Sequence, residues 1–289
     1  MTEAGAATFE RHGTPLVRRL VTSVLVVAAL WALWEGYKWL WQTAGWTWPF
    51  AVDDTTMPHL HDIVAAFWQP TTTGGPPLIH SLIDAAWFTM KEALAGFLIG
   101  AIVGFLLAVV LSQSRFLERG ILPYIVASQT IPILAIAPMV VVWLGSRGAP
   151  GWVSVSVISA YLTFFPVTIN TLRGLLSADP RALELMRSYA AGRWSVLWRL
   201  RVPASMPYLF AALKIAAPAA VVGAIIGELP SGIQDGLAGA ILNFNQYYVL
   251  APQNLWATNM VAAVVGIAFF LCVVLAERLV VHRAPENVA

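Results

Sequence analysis

The chain has 289 residues, of which 58% are hydrophobic and only 11% are charged, and its formal net charge is +2. A soluble domain carries about 25% charged residues, so this composition excludes an ordinary globular protein with a solvated surface. Cys272 is the single cysteine, which excludes an intrachain disulfide. The composition therefore indicates an all-α membrane protein.

Six membrane-spanning helices are predicted in chain order, because a span needs about 20 apolar residues. Their predicted ranges are 20–41, 93–111, 120–146, 148–172, 206–229 and about 255–276. Arg11, Arg18 and Arg19 precede the first apolar stretch as in a signal peptide, but bulky aromatic residues follow it instead of a small-residue cleavage site. The first helix is therefore expected to be retained. Lys214 interrupts the fifth helix and is expected to extend to an interface.

The distribution of basic residues predicts the orientation. Most of the 17 Lys and Arg residues lie before the first helix, between the second and third, between the fourth and fifth, or after the sixth. The intervening ranges 42–80 and 230–254 contain none. The positive-inside rule therefore places both termini of this multi-pass protein in the cytoplasm.

Small residues and prolines predict how two helices pack. Gly96, Gly100 and Gly104 are spaced by four and share one face of the second helix, where they would let another backbone approach closely. The alternative is a lipid-facing coincidence, since glycine is common in membrane helices. The third helix contains three prolines: Pro123, Pro132 and Pro138. Each removes a backbone hydrogen bond, so this helix is expected to bend against a cavity.

The basic range 173–203 is too long for a turn and too regular for a flexible linker. Asp179 followed by proline can cap and begin a short helix, and good helix formers follow. Pro203 and Pro207 are expected to stop or redirect the chain. Four arginines give this range a basic surface: Arg187, Arg193, Arg199 and Arg201.

Here the sequence resembles the permease subunits of ATP-binding-cassette (ABC) importers. Their loop motif is Glu-Ala-Ala, three residues, Gly, and then a stretch that ends in Ile-x-Leu-Pro. The matching positions are Glu184-Leu185-Met186, Ala190 and Leu200-Arg201-Val202-Pro203. Leu185 and Met186 replace the two alanines and Ala190 replaces the glycine, while the glutamate and the final proline are kept.

Three further stretches resemble the nitrate, sulfonate and taurine branch of these permeases. They are the range 131–138 (IPILAIAP) followed by Trp143-Leu144-Gly145, then Phe164-Phe165-Pro166 with Asn170-Thr171, and Pro203-Ala204 with Pro207-Tyr208. The resemblance covers roughly residues 80–280. It implies an N-terminal segment with the first helix and an outer loop (1–79), a permease core of the type I importer fold (80–281) and a cytoplasmic tail (282–289).

The resemblance also implies partners and a mechanical role for the range 173–203. Its helix would seat in a groove on a separate cytoplasmic ATPase, with Glu184 facing that subunit and Arg187 positioning the contact. The other implied coupling residues are Ala190, Arg193 and Pro203. The alternative for Glu184 is a solvated residue paired with Arg187. An external solute-binding protein, the lipid bilayer and a second permease copy, by default a homodimer, are the other expected partners, and no nucleic acid is expected.

No enzymatic site or cofactor is expected on this chain. A phosphate loop needs Gly-Lys followed by Ser or Thr, and no lysine here follows a glycine. ATP and Mg are therefore expected on the partner ATPase. His59 and His61 could meet one metal ion, but the sequence shows no third ligand near them, and no metal site is expected.

Polar residues within spans are costly and usually face a cavity, so they are candidates for a solute pathway. They are Ser128, Gln129, Thr130, Thr168, Asn170 and Glu228. Alternatively, serine and threonine bond to their own helix backbone. The glycine-rich range 228–248 is either a short re-entrant helix or a surface loop that docks the binding protein.

The transported solute is not specified by any motif. Outer loops without cations and the aromatic residues Phe244, Tyr247 and Tyr248 favour an aromatic heterocycle (a pyrimidine, thiamine precursor or flavin) over nitrate, sulfonate or taurine. The alternative function is a secondary transporter or channel that works alone. That class usually has more spans or inverted repeats, and no internal repeat is visible here.

Overall fold

The computed structural model describes residues 15–48, 52–71 and 74–281. Within these ranges all named secondary-structure elements are helices. The all-α prediction is confirmed. The chain divides into two compact units, Met1–Ala65 and Ala66–Ala289. Arg11, Arg283 and the predicted tail 282–289 lie outside the described residues.

The first unit contains α1 (Pro15–Ala44) and the start of α2 (Leu60–Ala66). The described apolar side chains of α1 are almost all exposed, as expected for a helix surrounded by lipid. The charged side chain of Lys38, in contrast, is fully buried, and its ammonium donates to Asp54 Oδ1 at 2.6 Å. This hydrogen bond holds the pKa of the Asp54 carboxyl below its ordinary value.

The second unit contains nine α-helices and one π-helical turn among the residues described. They are α3 (Leu78–Ser112), α4 (Arg115–Ser128), α5 (Ile133–Gly145), α6 (Gly151–Leu176), α7 (Pro180–Ser188), α8 (Arg193–Val196), the π-helical turn (Leu197–Arg201), α9 (Val202–Ser231), α10 (Leu237–Gln246) and α11 (Pro252–Val280). Helices α3, α6 and α9 pack against one another at the centre, and α11 packs on α9.

Close backbone approach explains why α3 and α6 pack so extensively. A Cβ atom on Gly96 would collide with Ser159 of α6. A Cβ on Gly100 would lie 2.6 Å from the Ala160 carbonyl oxygen, and one on Gly104 would lie 2.7 Å from that of Phe164. The predicted glycine face of α3 therefore lies against α6. Glycines of α9 also approach α6, which the sequence analysis did not anticipate.

Within the described ranges, five helices are long and apolar enough to cross a membrane by length and composition, and a sixth span results if α4 and α5 are counted as one. These two helices meet at a 95° bend within the range predicted as one helix, 120–146. Pro132 is the N-cap of α5, where its missing N–H costs no hydrogen bond. Pro123 and Pro138 lie inside α4 and α5 without ending them.

Two helix boundaries differ from the sequence prediction. Helix α3 begins at Leu78 rather than at residue 93, because buried Glu92 continues the helix instead of marking its end. Pro203 and Pro207 do not end a helix either. Helix α9 begins at Val202 with Pro203 in its first turn and runs through Pro207. Proline is tolerated in the first turn because that N–H has no intrahelical partner.

Candidate functional site

The connection between α6 and α9 is helical, as the range 173–203 predicted. The Asp179 carboxylate accepts a hydrogen bond from the Arg181 backbone N–H at 2.9 Å and caps α7, with proline at the first helical position. After α8, the π-helical turn leads into α9, and the Val202 N–H donates to the Leu197 carbonyl five residues earlier. Pro203 follows in the first turn of α9.

Ala190 has a backbone φ of 50° and is the only non-glycine residue with positive φ among those described. It stands where the importer motif has glycine. A left-handed conformation costs a residue with a Cβ about 1–2 kcal/mol. Ala190 is therefore held in a conformation that glycine would adopt without this penalty.

Glu184 and Arg187 lie exposed on α7. Among the described residues neither makes an ion pair or a side-chain hydrogen bond, so the pairing of Glu184 with Arg187 is not formed. The surface around them also exposes large apolar side chains: Leu185, Tyr189, Trp194 and Trp198. Unpaired charges beside exposed aromatic residues are typical of a protein-docking surface.

Two arginines of the connection differ in their surroundings. Arg193 is exposed at the start of α8 and has no side-chain partner among the described residues. Arg201 is half-buried, and its guanidinium donates to the Ser112 carbonyl oxygen at the end of α3, 3.2 Å away. A cation is favourable at a helix C-terminus, so Arg201 links the connection to α3.

Three of the polar pathway candidates lie at the bend between α4 and α5. The Ser128 hydroxyl donates to the Ile125 carbonyl and the Thr130 hydroxyl to the Ala127 carbonyl, both at 2.7 Å. The Gln129 amide contacts the Ser128 hydroxyl at 3.4 Å. The two hydroxyls thus bond to carbonyl groups of the last turn of α4, just before the bend.

Two other candidates lie on α6 and bond to their own helix. The Thr168 hydroxyl donates to the Phe164 carbonyl at 2.8 Å, and Thr168 is fully buried. The Asn170 amide donates to the Pro166 carbonyl at 2.9 Å and is half-buried. Both side chains therefore donate to backbone carbonyls of their own helix. The sequence analysis left this open as the alternative to facing a solute pathway.

Glu228 is buried and bonds to two other helices. Its Oε1 accepts from the Thr89 hydroxyl of α3 at 2.6 Å, and its Oε2 accepts from the Ala238 N–H of α10 at 2.9 Å. The Thr89 hydroxyl accepts in turn from the Leu237 N–H at 2.8 Å. The carboxylate and hydroxyl therefore satisfy two N–H groups of the first turn of α10.

Helix α10 occupies the range whose nature the sequence left open. It starts after Gly236, where a Cβ would collide with the Glu228 carboxyl, and its first three residues are buried. It packs on α3, α9 and α11. Its ten residues are too few to span a bilayer, so it is a short helix anchored at its start.

Lys214, which was expected to extend to the membrane interface, pairs with an acidic residue of α11. Its ammonium lies 2.9 and 3.1 Å from the two carboxylate oxygens of Glu277, which joins α9 to α11. Sequence reasoning missed this pair. The only available signal was one acidic residue near the end of the last apolar run.

Comparison with known proteins identifies relatives of the chain. Residues 96–286 match the family described as "Binding-protein-dependent transport system inner membrane component". The chain is 39% identical over 142 residues to the formylaminopyrimidine transport permease protein ThiX of Halalkalibacterium halodurans, and this match spans 49% of the chain and only 55% of ThiX.

Two further comparisons cover more of the chain. It is 29% identical to the riboflavin transport system permease protein RibX of Chloroflexus aurantiacus, over 76% of the chain and 77% of RibX. A solved structure described as an amino acid ABC transporter with histidines matches with a TM-score of 0.57 at 17% identity. This match covers 70% of the chain and 95% of that structure's chain, and it shows a shared fold.

Proposed function

The chain belongs to the binding-protein-dependent transport system inner membrane components, the permeases of ABC importers, and we propose that it carries a small aromatic heterocycle under the control of a separate ATPase. The family match covers most of the chain, which is a multi-pass membrane protein with several apolar helices. Four parts of the proposal go beyond family membership: the ATPase contact, the orientation, the second copy and the solute.

The ATPase contact is assigned to the surface around α7, and the exposed, unpaired Glu184 is the observation that carries it. The capped ends of α7 present this carboxylate and Arg187 on a short rigid helix, beside exposed apolar residues. Arg193 adds positive charge, and Ala190 and Pro203 shape the turns on either side. A movement of the ATPase would then be transmitted to α3 by the hydrogen bond of Arg201 and to α9 by the first turn that contains Pro203.

The orientation follows from the same assignment. The surface around α7 lies in the most arginine-rich connection of the chain, and the positive-inside rule places that connection in the cytoplasm. Both termini are then cytoplasmic in a bacterial inner membrane. The α10 end of the second unit faces outward, towards an external solute-binding protein.

The solute pathway is proposed to form between two copies of this chain. Helix α5 exposes the apolar side chains of Leu134, Met139 and Val142, which a second copy of the chain would cover. Polar groups that line such a pathway would come from the bend at Ser128–Thr130. A homodimer is the simplest arrangement, because both halves then present the same bend.

The solute is proposed to be a pyrimidine, thiamine precursor or flavin. The printed names of ThiX and RibX refer to formylaminopyrimidine and riboflavin, although the chain is also 26% identical to an aliphatic sulfonates transport permease protein of Bacillus subtilis. Aromatic side chains follow α10. Tyr247 is exposed, and Trp256 Nε1 of α11 donates to the Tyr248 hydroxyl at 3.4 Å. Aromatic rings stack favourably on a planar heterocycle.

Co-purification tests the ATPase contact. The tagged chain is purified in mild detergent from a host that expresses its own partners, and its companions and Mg-ATP hydrolysis are measured. We expect an ATPase to co-purify, Glu184→Lys to release it, and Asp235→Lys, an exposed acid outside the surface around α7, to retain it. A chain that purifies without an ATPase and sustains uptake after ATP depletion would instead be a transporter that works alone.

Uptake assays test the solute. Cells that express the complete transporter are given labelled formylaminopyrimidine, riboflavin or taurine, and deletion of this chain is expected to abolish uptake of one of the two heterocycles. Loss of taurine uptake alone would overturn the proposed solute while leaving the ATPase contact intact.

A further inference from the structure

A cluster of polar side chains in the first unit joins the second half of α1 to the chain around residues 52–62. Trp34 Nε1 donates to the Pro58 carbonyl at 3.2 Å, and Gln42 donates to the Val52 carbonyl at 3.5 Å. His59 Nδ1 lies 2.7 Å from Glu35 Oε2, and the Leu60 N–H donates to Glu35 Oε1 at 2.9 Å. The start of α2 is therefore held against α1.

His61 lies beside this pair. The imidazole rings of His59 and His61 are 5.1 Å apart between centroids and inclined by 30°. One nitrogen or oxygen atom from each of Glu35, His59 and His61 lies within 4.8 Å of the other two. From this arrangement we propose that Glu35, His59 and His61 bind a divalent transition-metal cation such as Zn²⁺.

The donor set selects the class of cation. Two imidazole nitrogens and one carboxylate oxygen are ligands that Zn²⁺ prefers, with bond lengths of about 2.0–2.2 Å, whereas Ca²⁺ and Mg²⁺ prefer oxygen ligands. Ligand atoms around a tetrahedral Zn²⁺ lie about 3.4 Å apart. Glu35 Oε2 and His59 Nδ1, now 2.7 Å apart, would separate slightly as a cation replaces the proton between them, and the exposed His61 side chain can adjust to complete the site.

Neighbouring carboxylates can orient the two histidines. Asp62 Oδ1 lies 3.2 Å from His61 Nε2, so it can accept a hydrogen bond from that nitrogen and leave Nδ1 for the cation. A carboxylate that holds the second nitrogen of a histidine is the usual support of a metal ligand. On the other side, His59 Nε2 lies 3.8 Å from Asp54 Oδ1, which Lys38 already occupies. With three protein ligands, water is the expected fourth ligand.

A simple ion pair between Glu35 and His59 is the competing explanation. That pair alone would hold α2 against α1, and it would not involve His61. Metal binding requires all three residues, and removal of His61 therefore separates the two explanations. The site lies before residue 96, where the family match begins, so family membership does not account for it.

Metal titration of the full-length chain, purified in detergent without a histidine tag and treated with EDTA, tests the proposal. Zn²⁺ binding is measured by calorimetry, and Co²⁺ absorption in the visible range reports tetrahedral coordination. We expect one saturable site per chain and a rise in Tm with Zn²⁺ but not with Mg²⁺. His61→Ala is expected to weaken Zn²⁺ binding by at least about tenfold, a loss that even outer-shell partners can cause.

The controls separate binding from folding. His61→Ala should leave the Tm of the metal-free protein unchanged, because Glu35 and His59 keep their hydrogen bond. His80→Ala, at an exposed histidine of α3, should bind Zn²⁺ as the unaltered chain does. Zn²⁺ binding that is absent, or equally strong in His61→Ala, would overturn the proposal and leave the Glu35–His59 pair as a purely structural contact.

Discussion

The Thr89 hydroxyl and the Glu228 carboxylate form a buried hydrogen bond of 2.6 Å between α3 and α9. Both groups also accept an N–H from the first turn of α10, so one polar contact positions three helices. Loss of either partner would leave buried polar groups unsatisfied, which costs about 1–3 kcal/mol for each group.

Thr89→Val removes the hydroxyl while keeping the shape of the side chain. We expect a lower free energy of unfolding by about 1–3 kcal/mol, because Leu237 N–H and Glu228 Oε1 lose their partner. Thermal unfolding in detergent measures the change. Thr168→Val is the matched control, since that buried hydroxyl bonds only to its own helix. Equal losses in the two variants would show that Thr89 has no special role in holding α10.

Ala190→Gly tests the left-handed turn after α7. Glycine adopts positive φ without a Cβ penalty, and part of the gain is offset by its greater freedom in the unfolded chain. The expected net effect is stabilisation by about 0.5–1 kcal/mol, seen as a higher Tm. Ala191→Gly, at the neighbouring residue without positive φ, should be neutral or destabilising. A decrease in Tm for Ala190→Gly would contradict the strain argument.

Gly100→Ala tests the packing of α3 on α6. The added methyl group would lie 2.6 Å from the Ala160 carbonyl oxygen, so the two helices must move apart. Overpacking of this kind costs about 1–3 kcal/mol. Gly120→Ala in α4 is the control, because nothing lies within 4 Å of its added Cβ. There the better helix propensity of alanine should stabilise by about 0.5–1 kcal/mol. Both changes are read from Tm.

The pair between Lys214 and Glu277 is tested with a double-mutant cycle. Lys214→Met and Glu277→Gln each leave one half-buried charged or polar group without its partner, and each is expected to cost about 1.5–3 kcal/mol. The double variant should cost less than the sum of the two single variants, because no unpaired charge remains. Additive losses would show that the two side chains act independently.

Periodic and compositional features could be predicted from the sequence because they are local. A run of apolar residues predicts a span wherever it packs, and the fourfold spacing of Gly96, Gly100 and Gly104 predicts a face that allows close approach. The capped helix α7 follows from Asp179 and the proline after it. The importer family was recognised from Glu184 to Pro203, and the comparisons confirm it.

The boundaries at charged residues were wrong for a physical reason. A charged residue can lie within a span if the helix bundle buries it or supplies an oppositely charged partner. The sequence does not show whether a given charged residue is buried or paired in this way. Buried Glu92 continues α3, and Lys214 continues α9 because Glu277 neutralises it. The prolines at 203 and 207 likewise did not end the helix. Pro203 lies in the first turn of α9, where its missing N–H costs little, and Pro207 lies inside the same helix.

By itself, the sequence determined that this protein is a helical membrane importer permease with a basic connection at 173–203, because composition, periodicity and short motifs are properties of neighbouring residues. Only the tertiary structure decided which distant side chains meet: Lys214 with Glu277 across 63 residues, Glu228 with Thr89 across 139, and Glu35 with His59 across 24. Such contacts depend on how whole helices pack, and no local pattern encodes that arrangement.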